Sequence, residues 1–327
     1  MTDQETRTGE PTDANLPAAQ QGVAFATATE PSYGRTLFFG SDGLRPGWGL
    51  LFYGLSFFIL QSVFVGLVSS HDLGASGLWS MMLEELCDFM AALIPSLVLA
   101  RIESRPWSSY GLPLRQMFGA RFWIGTLWGF SAITLLMMSL YSLHDFSFGH
   151  LAVHGPRLIR FAGFWAVMFL LVGLYEEFWV RGYALFTLAR GVSFWPAALL
   201  LSVAFGLFHL RNGGESWPGI FAAMFIGLFL CFTLRRTGNL WFAVGFHAAW
   251  DWGETFFYSV PDSGTVFPGH LLGSALRGPD WISGGAVGPE GSILCFLVIA
   301  LVWVVFGVSY PGAALDIALR SVDPCNR

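Results

Sequence analysis

Eight predominantly apolar stretches follow one another along this chain, at about 48–68, 78–100, 121–141, 161–188, 192–210, 217–234, 239–258 and 292–310. Each is about the length that spans a bilayer as a helix, which takes roughly 20 residues. The breaks between them collect Gly, Pro, Ser and Arg. The pattern predicts an all-α fold, a polytopic membrane helix bundle of about eight transmembrane helices, in a single domain over 36–320. Residues 1–35 are polar and lack apolar periodicity, which predicts a disordered tail. No basic start leads into an apolar core there, so it does not read as a signal peptide. The segment 259–291 is rich in Gly, Pro and Ser and long for a connection. It is predicted to be an extramembrane loop, read as a solvent-exposed insertion in preference to a lid.

Composition sharpens this picture. Hydrophobic residues make up 54% of the chain and charged residues 12%, against about 25% charged in an ordinary soluble domain. That is too few to coat a soluble globule, and too apolar for a disordered chain. A net charge of -5 without a basic cluster argues against nucleic acid as a partner. All 17 basic residues are arginine, which excludes a P-loop and lysine-dependent covalent chemistry. Cys87, Cys231, Cys295 and Cys325 show neither metal spacing nor a pairing pattern. Trp48, Trp195, Trp217, Trp241 and Tyr310 sit near span ends, as interfacial anchors do. With the N-terminus inside, 13 arginines fall on the inner side, Arg181 among them, and 4 on the outer: Arg157, Arg160, Arg211 and Arg277. This bias predicts both termini in the cytoplasm.

Ionisable residues inside a span are costly and face a bundle interior or a cavity. The fourth span carries Glu176, Glu177 and Arg181, the fifth His209, and the seventh His247 and Asp251. Glu177 and Arg181 are four apart on one helical face, as an ion pair requires, whereas Glu176 points about 100° away. Counted from the turn near 190–192, Glu176 lies roughly 21 Å and His209 roughly 26 Å along their helices. Counted from Thr237-Gly238, the His247 to Asp251 stretch lies roughly 14–20 Å along its own. Each group alone has a plain reading, since a lone histidine can pack and a Glu-Arg pair can knit helices together. Together, at matched depth, they predict one polar layer.

The motifs Glu176-Glu177…Arg181, Phe205…His209 and His247…Asp251, in this order on successive apolar helices, resemble those of the CPBP family. These are the CAAX-protease and bacteriocin-processing, or Abi, intramembrane proteases. The resemblance covers roughly 160–258 and includes Gly182 and the Arg-x-Gly-x-Leu run of Arg236 to Leu240. It implies an intramembrane endopeptidase acting on a membrane-associated or lipidated peptide. Glu176 and His209 would activate water, with His247 and Asp251 at the substrate carbonyl and Glu177, Arg181 and Phe205 supporting. Eukaryotic and archaeal CAAX enzymes have asparagine in place of Asp251. A carboxylate cannot donate to an oxyanion, so Asp251 is expected to orient His247 instead. The resemblance leaves open whether a metal takes part. Zinc, if bound, would take Glu176, His209 and His247. The expected partners are a peptide or protein substrate in the membrane and the lipid bilayer, and the expected location is a bacterial inner membrane.

Other features carry less. Glu84, Glu85 and Asp88 in the second span form an acidic group without the arginine and are read as structural. Glu254 follows Asp251 by three residues and extends the polar face. Gly74-Ala75-Ser76-Gly77 matches the short pattern of rhomboid serine proteases, but four such residues are common in loops. A proton-coupled transporter, or a non-catalytic immunity or scaffold protein, is the alternative reading.

Overall fold

The computed structural model describes residues 33–40, 43–70, 77–312 and 314. The tail before residue 33, the Ser76 motif apart from Gly77, Cys325 and the terminal arginines Arg7, Arg320 and Arg327 lie outside the described residues. The chain divides into two units at Leu37. The first is described only at the start of α1 (Tyr33–Phe38).

The second unit opens on a small antiparallel ribbon, β1 (Phe39–Gly40) with β2 (Gly43–Leu44). The long helices α2 (Pro46–Ser70), α3 (Leu78–Ile102), α4 (Ala120–Ser142) and α5 (Pro156–Trp179) follow, with β3 (Phe146–Ser147) in the connection before α5. α5 passes through a π-type turn over Val180–Ala184 into the short α6 (Leu185–Val192). Next come α7 (Phe194–Phe208), α8 (Trp217–Thr237) and α9 (Trp241–Trp252), the last extended by a π-type turn over Gly253–Tyr258. The 259–291 segment contains β4 (Ala275–Leu276) and α10 (Asp280–Ser283), and α11 (Ile293–Ser309) closes the bundle.

The chemistry of the ends explains several boundaries. α5 begins on Pro156, whose fixed φ suits a first helical position. α8 ends at Gly238, whose φ of 78° is the left-handed turn that releases a helix. α11 is capped by the Ser292 hydroxyl, which accepts from the Leu294 amide at 3.0 Å.

Among the described residues, five helices are long and apolar enough to cross a membrane: Pro46–Ser69, Ala120–Ser142, Pro156–Val192, Phe194–Arg211 and Trp217–Thr237. Three further helices occupy the other predicted spans. α3 carries Glu84, Glu85, Asp88 and Arg101, α9 carries Asp251, and α11 is shorter at 17 residues. The protein is an all-α polytopic helix bundle of the integral-membrane type. Its outward faces are apolar, with Ile59, Leu127, Leu297 and Val308 exposed, the surface that lipid in place of water accommodates. One sequence expectation changes here. Arg181 is fully buried in the interrupted α5–α6 helix, so it leaves the loop tally, and the arginine bias becomes twelve (13 − 1) against four.

A glycine seam joins α4 to α9. Gly125 and Gly129 stand four apart on α4, and a Cβ at either would collide with the Phe242 or Phe246 carbonyl oxygen of α9. Gly245 of α9 meets the Phe122 carbonyl of α4 in the same way. Small residues at this spacing let two membrane helices approach backbone to backbone. Gly129→Ala is expected to force the helices apart, at about 1–3 kcal/mol for overpacking. Thermal midpoints of the two proteins check this, and an unchanged midpoint would mean that the seam yields freely.

The 259–291 segment makes backbone contacts with the rest of its unit. β4 pairs antiparallel with β3, placing Phe146 opposite Leu276. Ala152 and Gly273 add backbone bonds to Leu271 and His150. Val260, Ser283 and Val287 are buried. The segment is tied to the α4–α5 connection and folds back over one end of the bundle.

Candidate active site

Glu176 and Glu177 fall in the last turn of α5, just before the π-type interruption. Arg181, one turn on, donates from Nη1 to Glu177 Oε1 at 2.8 Å, and both side chains are wholly buried. Its Nη2 and Nε donate to the Gly227 carbonyl of α8 at 3.0 and 3.3 Å. The guanidinium carbon also lies 5.1 Å from the centroid of the Phe205 ring on α7. One arginine therefore joins three helices, and its charge is met by a carboxylate, a carbonyl and a π face.

His247 on α9 approaches the same carboxylate. Its Nδ1 lies 2.9 Å from Glu177 Oε1, so the ring N–H and Arg181 share one oxygen. That contact leaves Nε2 facing the cavity, 3.6 Å from Glu176 Oε2 and 3.5 Å from Asp251 Oδ2. Glu177, rather than Asp251 alone, orients this imidazole, a role the sequence reading did not give it. The motif's Glu-Arg spacing shows only the ion pair. The bond to His247 depends on how α5 crosses α9, which no local pattern encodes.

His209 follows the last residue of α7 and opens a short 3-10 turn. Its Nδ1–H donates to the Phe205 carbonyl at 2.9 Å, and its ring meets the Phe205 ring edge to face at 4.7 Å. Phe205 thus touches both Arg181 and His209. With Nδ1 engaged, Nε2 of His209 is the nitrogen left to act as an acceptor.

Glu176, His209, His247, Asp251 and Phe205 all line one cavity of about 230 Å³. Its wall also includes Glu84 and Glu85 of α3, but not Asp88. From the folded-back segment come Asp262 and Ser263, and Glu290 joins them from the turn before α11. Burial and the neighbouring Glu290 push the Asp262 carboxyl up to about 8.

A tetrahedral zinc site, with bonds of about 2.0–2.2 Å, needs its ligand atoms within about 3.5 Å of one another. Among the described residues, the group of three ligand-type side chains with donor atoms within 4.8 Å of one another is Glu254, Asp262 and Glu290. Glu176, His209 and His247 do not form such a group, so these three do not fit a common zinc ion as they stand.

The fold and the cavity together define a membrane-embedded helix bundle with a polar, carboxylate- and imidazole-lined chamber inside it. Residues 158–253, from the start of α5 to the end of α9, match the family model described as type II CAAX prenyl endopeptidase Rce1-like. The match is consistent with a CPBP-family intramembrane protease and supports a CAAX-protease-like membrane peptidase in general. No curated protein and no solved structure matches the chain.

Proposed function

We propose that this protein is an intramembrane endopeptidase that hydrolyses a peptide bond of a membrane-associated or lipidated peptide, with Glu176 as general base. The observation that carries this reading is the convergence of Glu176, His209, His247 and Asp251 on one internal cavity. Water held by the free Nε2 of His209 gives a proton to Glu176 as its oxygen attacks the scissile carbonyl. His247, carrying a proton on each nitrogen, donates Nε2–H to the oxyanion while Nδ1–H stays on Glu177. Asp251, 3.5 Å from that Nε2, steadies the imidazolium charge. The intermediate collapses as the proton on Glu176 passes to the leaving amine, which restores the carboxylate. Donors fixed in a low-dielectric chamber stabilise the developing charge strongly, because they need no reorganisation when it forms.

The test is cleavage by the purified chain, reconstituted in lipid vesicles, of membrane-inserted peptides with and without a prenyl group. Parent protein is expected to cut at least one class, and His209→Asn to cut it about 10²-fold or more slowly. Folded protein that hydrolyses neither class would overturn the reading, and selective cleavage would name the substrate class.

A further inference from the structure

A second group of carboxylates lies beside the cavity and plays no part in the scheme above. Glu254 belongs to the turn that extends α9, Asp262 to the segment after it, and Glu290 to the short turn over Pro289–Gly291 that leads into α11. One oxygen from each lies within 4.8 Å of the others. Glu254 is fully buried, and neither of its carboxylate oxygens has a hydrogen-bond partner. The donors that reach the group are neutral. Trp250 Nε1 and Ser263 Oγ donate to Glu290 at 3.0 and 2.6 Å, and Thr255 Oγ1 donates to Asp262 at 2.9 Å.

Three carboxylates gathered in one place repel one another, and a buried carboxylate with both oxygens unbonded loses its hydration without compensation. A cation entering the group would satisfy these oxygens together, in place of the protons that burial favours. The group offers oxygen alone, with no histidine or cysteine among its members, and that selects a hard ion over zinc or copper. Two oxygens on opposite sides of a calcium ion, each bonded at about 2.4 Å, stand about 4.8 Å apart, and no pair in this group lies farther apart than that. We propose that Glu254, Asp262 and Glu290 form a binding site for a hard divalent cation of the calcium type.

This proposal is independent of the catalytic reading, since none of the three residues is assigned a step in it. The cation would staple the end of α9, the folded-back segment and the entry to α11 at one point. Asp262 and Glu290 also line the cavity, so the same ion would fix one wall of the chamber.

The experiment uses the full chain, purified in detergent, stripped with EDTA and titrated with calcium chloride by calorimetry, with thermal midpoints read in parallel. One calcium per chain is expected, with a midpoint rise of about 5 °C or more at a hundredfold excess over Kd. Glu254→Gln and Asp262→Asn should each abolish uptake and the rise, whereas Glu176→Gln should keep both. A folded Glu254→Gln protein that still takes up calcium overturns the site. So does loss of uptake on Glu176→Gln with retention in Glu254→Gln, which would move the ion into the catalytic cavity. Parent protein that shows no saturable uptake overturns the site even if every variant misfolds.

Discussion

Glu176→Gln protein is expected to melt like the parent chain and to cleave its peptide about 10²–10⁴-fold more slowly, the usual loss when a general base is removed. The near-isosteric amide cannot accept a proton at neutral pH. The fold should not register the change, because the Glu176 side chain keeps 19% of its surface exposed in the cavity. Its approach to His247 at 3.6 Å is longer than a hydrogen bond. Turnover and thermal midpoint, measured on one preparation, check both halves of the expectation. Normal cleavage by this variant would pass the role of base to another carboxylate of the chamber.

Arg181→Ala should behave in the opposite way, as a stability defect first. The guanidinium is wholly buried, and its removal leaves the equally buried Glu177 with the His247 N–H as its remaining partner and the Gly227 carbonyl without its donor. Breaking a buried pair by deleting one partner costs about 3–5 kcal/mol, a large share of the roughly 5–15 kcal/mol by which domains are stable. Yield and midpoint should therefore drop sharply, and activity with them. The double change Glu177→Leu with Arg181→Met separates the two jobs. Removing both charges with apolar groups of similar size should recover much of the midpoint. Cleavage should stay low, because His247 has lost the carboxylate that turns its ring. An Arg181→Ala protein with the parent midpoint would refute the structural role.

The helices were legible because membrane spans are a local signal. Length and unbroken apolarity define α2, α4 and α8 to within a few residues, and Gly238 marks an end by its own backbone chemistry. The i, i+4 relation of Glu177 to Arg181 was legible for the same reason, since one helical turn fixes it. What escaped is long-range. The Glu177 to His247 bond joins residues on two different helices. The Gly and Pro content of 259–291 says that no helix forms there, but not that β4 returns to β3 or that Asp262 enters the cavity. Nor could residue types show that one oxygen each of Glu254, Asp262 and Glu290 comes within 4.8 Å of the others. Ligand type is written in sequence, but ligand distance is set by how the helices cross.

The receptor for Arg181 on α8 is a backbone carbonyl, and this shapes how the position can drift over generations. Every residue type supplies that oxygen, so no exchange at 227 can delete the acceptor. Bulk is filtered instead, because a Cβ there would stand 3.0 Å from Arg181 Nη2 and 3.2 Å from the Phe205 ring. Polarity should therefore matter little at 227 and volume a great deal, while at 177, which faces both Arg181 and His247, negative charge should matter most. The two ends of one contact obey different rules of substitution, and a saturation scan of both positions would display them side by side.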